Sequence, residues 1–256
     1  MLWAYLERGN CMANYNCLLI DIDNTILDFD AAEHKALLET FENFNIPQDA
    51  ETVALYQEIN RGMWAALERG EIKKDKLLVE RFNRFLKQVG SEENPVQVNK
   101  YYLAHLGMHS DTIPGAADAL FELAEVATLG AVSNGVERVQ IGRMEESGLG
   151  KYMDEMFISE KLGVTKPSRK FFEIALRVLD IEKREKVLVV GDSLRADIQG
   201  GINAGLATCW YNPHGQENDT DIQPTYTISR LEDLYPIVME EDELENVGLK
   251  NRRHQL

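Results

Sequence analysis

Four fragments stand out by residue type and spacing: Asp21-Ile22-Asp23-Asn24-Thr25, Ser133-Asn134-Gly135, Lys166-Pro167, and Gly191-Asp192-Ser193 running on to Asp197. If these fragments converge, the carboxylates of Asp21, Asp192 and Asp197 would repel a phosphate dianion by about 4 kcal/mol per unit pair at 4 Å and an effective dielectric of 20. Such a site needs cations. Lys166 supplies one fixed positive charge, and the hard oxygens of Asp21, Asp23 and Asp192 suit Mg²⁺, which takes one or two carboxylates together with waters and phosphate oxygens. With the field reversed, a carboxylate can attack phosphorus in line and form an aspartyl phosphate, and Asp21 is the expected nucleophile. Asp23, two residues along an extended chain, is the expected general acid and base. It would protonate the leaving oxygen and then activate water, a role worth about 10² to 10⁴ in rate. Thr25, Ser133 and Asn134, with nearby backbone amides and Lys166, are the expected donors to the phosphoryl oxygens, Ser133 most directly.

Three of these fragments follow short apolar runs, Cys17-Leu18-Leu19-Ile20, Thr128-Leu129-Gly130-Ala131-Val132 and Lys186-Val187-Leu188-Val189-Val190. The runs are branched, brief and too apolar to alternate, as buried parallel strands are. In an open parallel sheet, ligands bind beyond the carboxyl ends of the strands, where these polar residues begin. Strands far apart in sequence can therefore deliver their acids to one point.

The ordered set resembles the phosphatases of the haloacid dehalogenase superfamily, which carry DxDx[TV], a Ser or Thr after the second core strand, a Lys, and GDxxxxD. The resemblance spans roughly Asn14 to Pro236 and is dense from Gly191 to Gly205. It implies an aspartyl-phosphate mechanism, Mg²⁺ as cofactor, and Asp197 as a further acid behind the metal ligands. Asn24 stands where many relatives have Gly; Asn tolerates left-handed backbone angles, so the turn should survive.

From Ala31 to Met108 the apolar spacing is helical: Leu37, Leu38, Phe41 and Phe44, then Leu55, Ile59, Met63, Ala66 and Leu67, then Leu77, Leu78, Phe82, Phe85, Leu86 and Val89. Breaks at Pro47, Gly70 and Gly90 to Pro95 leave about four helices. An all-helical insertion after the first motif resembles the family's cap, whose closure excludes water and selects substrate. Core helices are expected over Gly115–Val126, Val136–Ser147, Ser168–Leu179 and Ala196–Ala204, with late strands at 209–211 and 226–228. Pro167 reads as the first residue of a helix. The fold class is therefore α/β, a doubly wound, Rossmann-like parallel sheet with a helical cap. Its catalytic core is discontinuous, 13–28 and 113–238; the cap is 29–112, and 1–12 and 239–256 are terminal extensions.

A formal charge of −16 over 256 residues argues against nucleic-acid or anionic-membrane partners, which reward clustered Lys and Arg. Cys11, Cys17 and Cys209 match no metal-ligand spacing and read as reduced thiols. Charged and polar residues interrupt the first twenty positions, and no later run is long enough to span a membrane, so cytoplasm is the expected location. The expected partner is a small phosphorylated substrate, the chain being a monomer or homodimer. The stretch Thr25 to Asp30 resembles the branch that dephosphorylates pyrimidine nucleoside monophosphates. Phe29, Tyr56 or Trp64 could stack on a base and Arg61 pair with an acidic group, although aromatics at helical spacing more often form core. Rival readings are a phosphatase of a sugar phosphate or phosphoglycolate, a sugar phosphomutase, and a phospho-Asp response regulator. A dehalogenase generally lacks the second acid, here Asp23, and a response regulator needs no large helical insert.

Overall fold

The computed structural model describes residues 13–239. The terminal segments 1–12 and 240–256, with Cys11 and the acidic run from Glu240 to Glu245, lie outside the described residues. Six strands form one parallel sheet in the order β3-β2-β1-β4-β5-β6. They are β1 Cys17–Asp21, β2 Thr128–Ser133, β3 Glu155–Ile158, β4 Val187–Gly191, β5 Ala207–Tyr211 and β6 Tyr226–Ile228. The order runs outward in both directions from β1, the doubly wound pattern.

Every residue of β1 and β4 is buried, which explains why these runs show no polar alternation. Cys17, Leu19, Val187 and Val189 pack on Phe171, Phe172, Ala175 and Leu176 of the helix Arg169–Val178. Ser168 is the N-cap of that helix, so Pro167 precedes it instead of opening it. The edge strand β3 has no counterpart in the sequence reading. At four residues, with its first two half-buried, it offers too little apolar periodicity to be read.

The contacts divide the described residues into two compact units: 13–27 with 112–134 and 148–239, and Asp28–Asp111 with Gly135–Ser147. The second unit contains four successive helices, α1 Phe29–Asn43, α2 Ala50–Glu68, α3 Lys74–Gln88 and α4 Pro95–Leu106. Asp28, Asp49 and Asn94 cap three of them, each side chain accepting an amide of the first turn. Leu37, Phe41, Phe82, Phe85 and Leu86 build its interior, with Phe41 stacked on Phe85 at 5.1 Å between ring centroids. Tyr56 lies fully buried among Phe82, Phe85 and Tyr102, so it is core and unavailable for stacking on a base.

The helix Glu137–Glu146, counted with the core on sequence grounds, packs in this second unit. Val136 and Val139 join its apolar cluster, and the Arg143 guanidinium donates to the carbonyls of His109 at 2.9 Å and Asp28 at 3.4 Å. A buried polar chain also crosses the unit. Asn60 donates to Glu33 at 2.8 Å and accepts from Arg81 at 3.0 Å, and Arg81 donates to Asn99 at 3.0 Å. Among the described residues, no helix is long and apolar enough to cross a membrane.

Candidate active site

Three central strands end together. Asp21 is the last residue of β1 and pairs with Val132 of β2, one residue before Ser133, while Ile20 pairs with Val190 of β4, two residues before Asp192. Parallel pairing in this register carries side chains more than a hundred residues apart in sequence to the carboxyl end of the sheet.

Beyond β1 the chain turns back on itself. Ile22 O accepts from Leu27 N at 2.9 Å, and Asn24 N donates to Leu27 O at 2.8 Å. Asn24 adopts φ 55°, the left-handed region in which Asn is one of the few tolerated side chains. The turn buries Thr25, whose hydroxyl donates to Asp21 Oδ2 across a long 3.5 Å.

Lys166 enters from the segment ahead of the helix Arg169–Val178. Its buried ammonium donates to Asp21 Oδ1 at 2.5 Å, Asp197 Oδ1 at 2.7 Å and the Val132 carbonyl at 3.0 Å, which occupies all three of its donors. Asp197 is equally committed, since its Oδ2 accepts from Ser193 N at 3.1 Å. Ser193 Oγ in turn accepts from Ala196 N at 3.1 Å. Trp210 donates its indole N–H to the Asp192 carbonyl at 2.8 Å, tying the acidic loop to β5.

Asp21, Asp192 and Asp197 each offer a carboxylate oxygen, and these oxygens lie within 4.8 Å of one another. Among the described residues, Lys166 is the ammonium bonded to this cluster of hard oxygens, whose remaining negative charge suits a hard divalent cation. The electrostatics agree. Burial pushes the Asp21 carboxyl up to about 8, Lys166 pulls it down, and Asp197 and Asp23 push it up again. Burial also holds Asp192 well above the ordinary carboxylate range, with Asp21 and Asp197 adding to the effect. Lys166 is held above the usual lysine range because its two carboxylate partners outweigh the cost of burial.

The structure thus brings together Asp21, Lys166, Asp192 and Asp197, with Thr25 on Asp21 and buried Ser133 ending β2. The Asp23 carboxylate is not part of the three-oxygen group, although its charge acts on Asp21 and Asp192. The Asn134 amide, expected on phosphate, pairs with the Lys166 backbone: Nδ2 donates to Lys166 O at 3.0 Å, and Oδ1 accepts from Lys166 N at 2.9 Å. Sequence reasoning missed Trp210 and the Val132 carbonyl. A tryptophan in an apolar strand reads as core, and a carbonyl has no side-chain signature.

The model of the haloacid dehalogenase-like hydrolase family matches residues 15–205. The pyrimidine 5'-nucleotidase PynA of Streptococcus pneumoniae is 40% identical over 221 residues, covering 86% of this chain and 93% of its own length. The pyrimidine 5'-nucleotidase YjjG of Escherichia coli is 34% identical over 220 residues, covering 86% of this chain and 96% of its own. The crystal structure of YfnB from Bacillus subtilis bound to magnesium aligns with a TM-score of 0.84 at 40% identity, covering 88% of this chain and 98% of that one.

Proposed function

The chain belongs to the haloacid dehalogenase-like hydrolases, and on that footing we propose that it is a Mg²⁺-dependent phosphomonoester hydrolase acting on pyrimidine nucleoside 5'-monophosphates. The observation that carries the reading is the Lys166 ammonium shared by Asp21 and Asp197 beside Asp192. The arrangement joins a buried carboxylate, a fixed cation and oxygen donors at the ends of the strands.

Asp21 and Asp192 are the residues that would hold Mg²⁺, with Asp197 behind them fixing Lys166. When bound, the ion cancels the repulsion between these carboxylates and the phosphate dianion. Asp21 Oδ attacks phosphorus, the bond from phosphorus to the ester oxygen breaks, and Asp23 gives that oxygen its proton. Water then attacks the phosphorus of the aspartyl phosphate while Asp23 takes its proton. The phosphorus–Asp21 bond breaks, and inorganic phosphate leaves with Asp21 regenerated. Ser133 and neighbouring amides donate to the equatorial oxygens, and Thr25 steadies Asp21. Two named nucleotidases at 34% and 40% identity support the choice of substrate class.

A screen of phosphorylated metabolites with purified protein and Mg²⁺, reading released phosphate, tests this. UMP, dUMP and dTMP should be hydrolysed faster than hexose phosphates, and excess chelator should abolish turnover until Mg²⁺ is restored. Full activity in chelator would sink the site assignment. Preference for a sugar phosphate, or isomerisation without phosphate release, would sink the nucleotidase assignment.

A further inference from the structure

We propose that Asn134 is a positioning residue for Lys166 and not a phosphate ligand. One side-chain amide holds both polar groups of the Lys166 backbone, the N–H at 2.9 Å and the C=O at 3.0 Å. Asn134 is itself anchored, because its own carbonyl accepts from Ser159 Oγ at 3.2 Å and it directly follows Ser133, the last residue of β2. The segment carrying Lys166 is neither strand nor helix, so no ladder bonds fix it to the sheet. The paired amide takes their place, locking the backbone from which four methylenes carry the ammonium to Asp21 and Asp197. The pair uses Oδ1 and one of the two Nδ2 hydrogens, so turning the amide away from Lys166 would break both bonds. Without them the ammonium can drift, and a displacement of about 1 Å at a reacting group is enough to cost roughly 10²-fold in rate. This chemistry needs both a donor and an acceptor on one short planar group, which Asn supplies and Asp, Ser or Ala does not.

The inference rests on the phosphatase reading for what Lys166 does. Its test compares wild type with Asn134→Ala and Asn134→Asp, the second preserving size and the acceptor for Lys166 N–H in case the first does not fold. With Mg²⁺ and an activated phosphate ester, both variants should lose at least about 10-fold in kcat. KM and inhibition by inorganic phosphate should each stay within about 3-fold, since no phosphate contact is removed. Hydrogen exchange at the Lys166 amide, read by NMR, should accelerate at least 10-fold in Asn134→Ala. A raised KM and weakened phosphate inhibition with kcat intact would make Asn134 a phosphate ligand and overturn the proposal. So would wild-type kcat in either folded variant, which would leave the residue a purely structural part. If wild type itself releases no phosphate from any ester, the phosphatase reading fails, while the exchange measurement still reports whether Asn134 holds Lys166.

Discussion

A Cβ on Gly191 would lie 2.3 Å from the carboxyl carbon of Asp197. The glycine that ends β4 is therefore the space the Asp197 carboxylate occupies. Asp197 cannot step aside, because Lys166 Nζ holds one of its oxygens and Ser193 N holds the other.

Gly191→Ala should accordingly displace Asp197 and with it Lys166. We expect a loss of about 1 to 3 kcal/mol in stability from overpacking. A fall in kcat of about 10²-fold should accompany it as the ammonium moves off Asp21. Denaturant unfolding and steady-state kinetics on the same preparation check this; an alanine variant with wild-type kcat would show that Asp197 is not needed to aim Lys166.

Asp21 and Asp23 should fail for different reasons. Asp21→Asn removes the nucleophile and should form no covalent species. Asp23→Asn retains the nucleophile but lacks the base that activates water, so with a good leaving group it should accumulate phosphate on Asp21 while turnover falls by about 10² to 10⁴. Acid quench followed by peptide mass spectrometry locates the group. Near-normal turnover by Asp21→Asn, or phosphate trapped on another residue, would refute the covalent route.

Glu33 makes the helical unit sensitive to pH. Its burial pushes the carboxyl up to about 7, against the pull of Arg81 and with the help of Asp30. The folded chain therefore keeps a proton that an unfolded glutamate releases near 4.5. The stability from this group is full below that lower value, declines as pH rises and is gone above about 7. The whole effect is at most about 3 kcal/mol. Glu33→Gln should remove it, so urea midpoints of wild type and variant should diverge in the variant's favour between pH 5 and pH 8. A constant difference across that range would contradict the assignment.

Arg143 should be a structural clamp within the helical unit. Its fully buried guanidinium serves the carbonyls of His109 and Asp28 and lies 5.8 Å from the Phe29 ring centroid. Arg143→Ala leaves those carbonyls short of a donor and should cost about 2 to 4 kcal/mol, seen as a lower thermal midpoint. Arg143→Lys should recover only part of this, since an ammonium cannot reproduce the planar fork. Equal midpoints for wild type and Arg143→Ala would rule the clamp out.

Much of this was legible in residue order. The runs ending at Asp21, Ser133 and Gly191 are apolar without alternation, which is what buried parallel strands require, and the helices from Phe29 to Leu106 follow their apolar spacing and the breaks at Pro47, Gly70 and Gly90. The left-handed turn at Asn24 is expected from the family resemblance, because Asn tolerates the backbone angles that Gly adopts in many relatives. These features depend on neighbours within a few positions, and sequence records such neighbours directly. Tertiary structure decided the rest. The strand Glu155–Ile158 exists because an open sheet edge pairs it, and the helix Glu137–Glu146 joins the second unit because Val139 and Arg143 find partners there. Asn134 holds Lys166 across 32 positions, and Lys166 reaches Asp21 across 145. Residue type says what each of these groups can bond, but only the packed sheet brings the partner within reach.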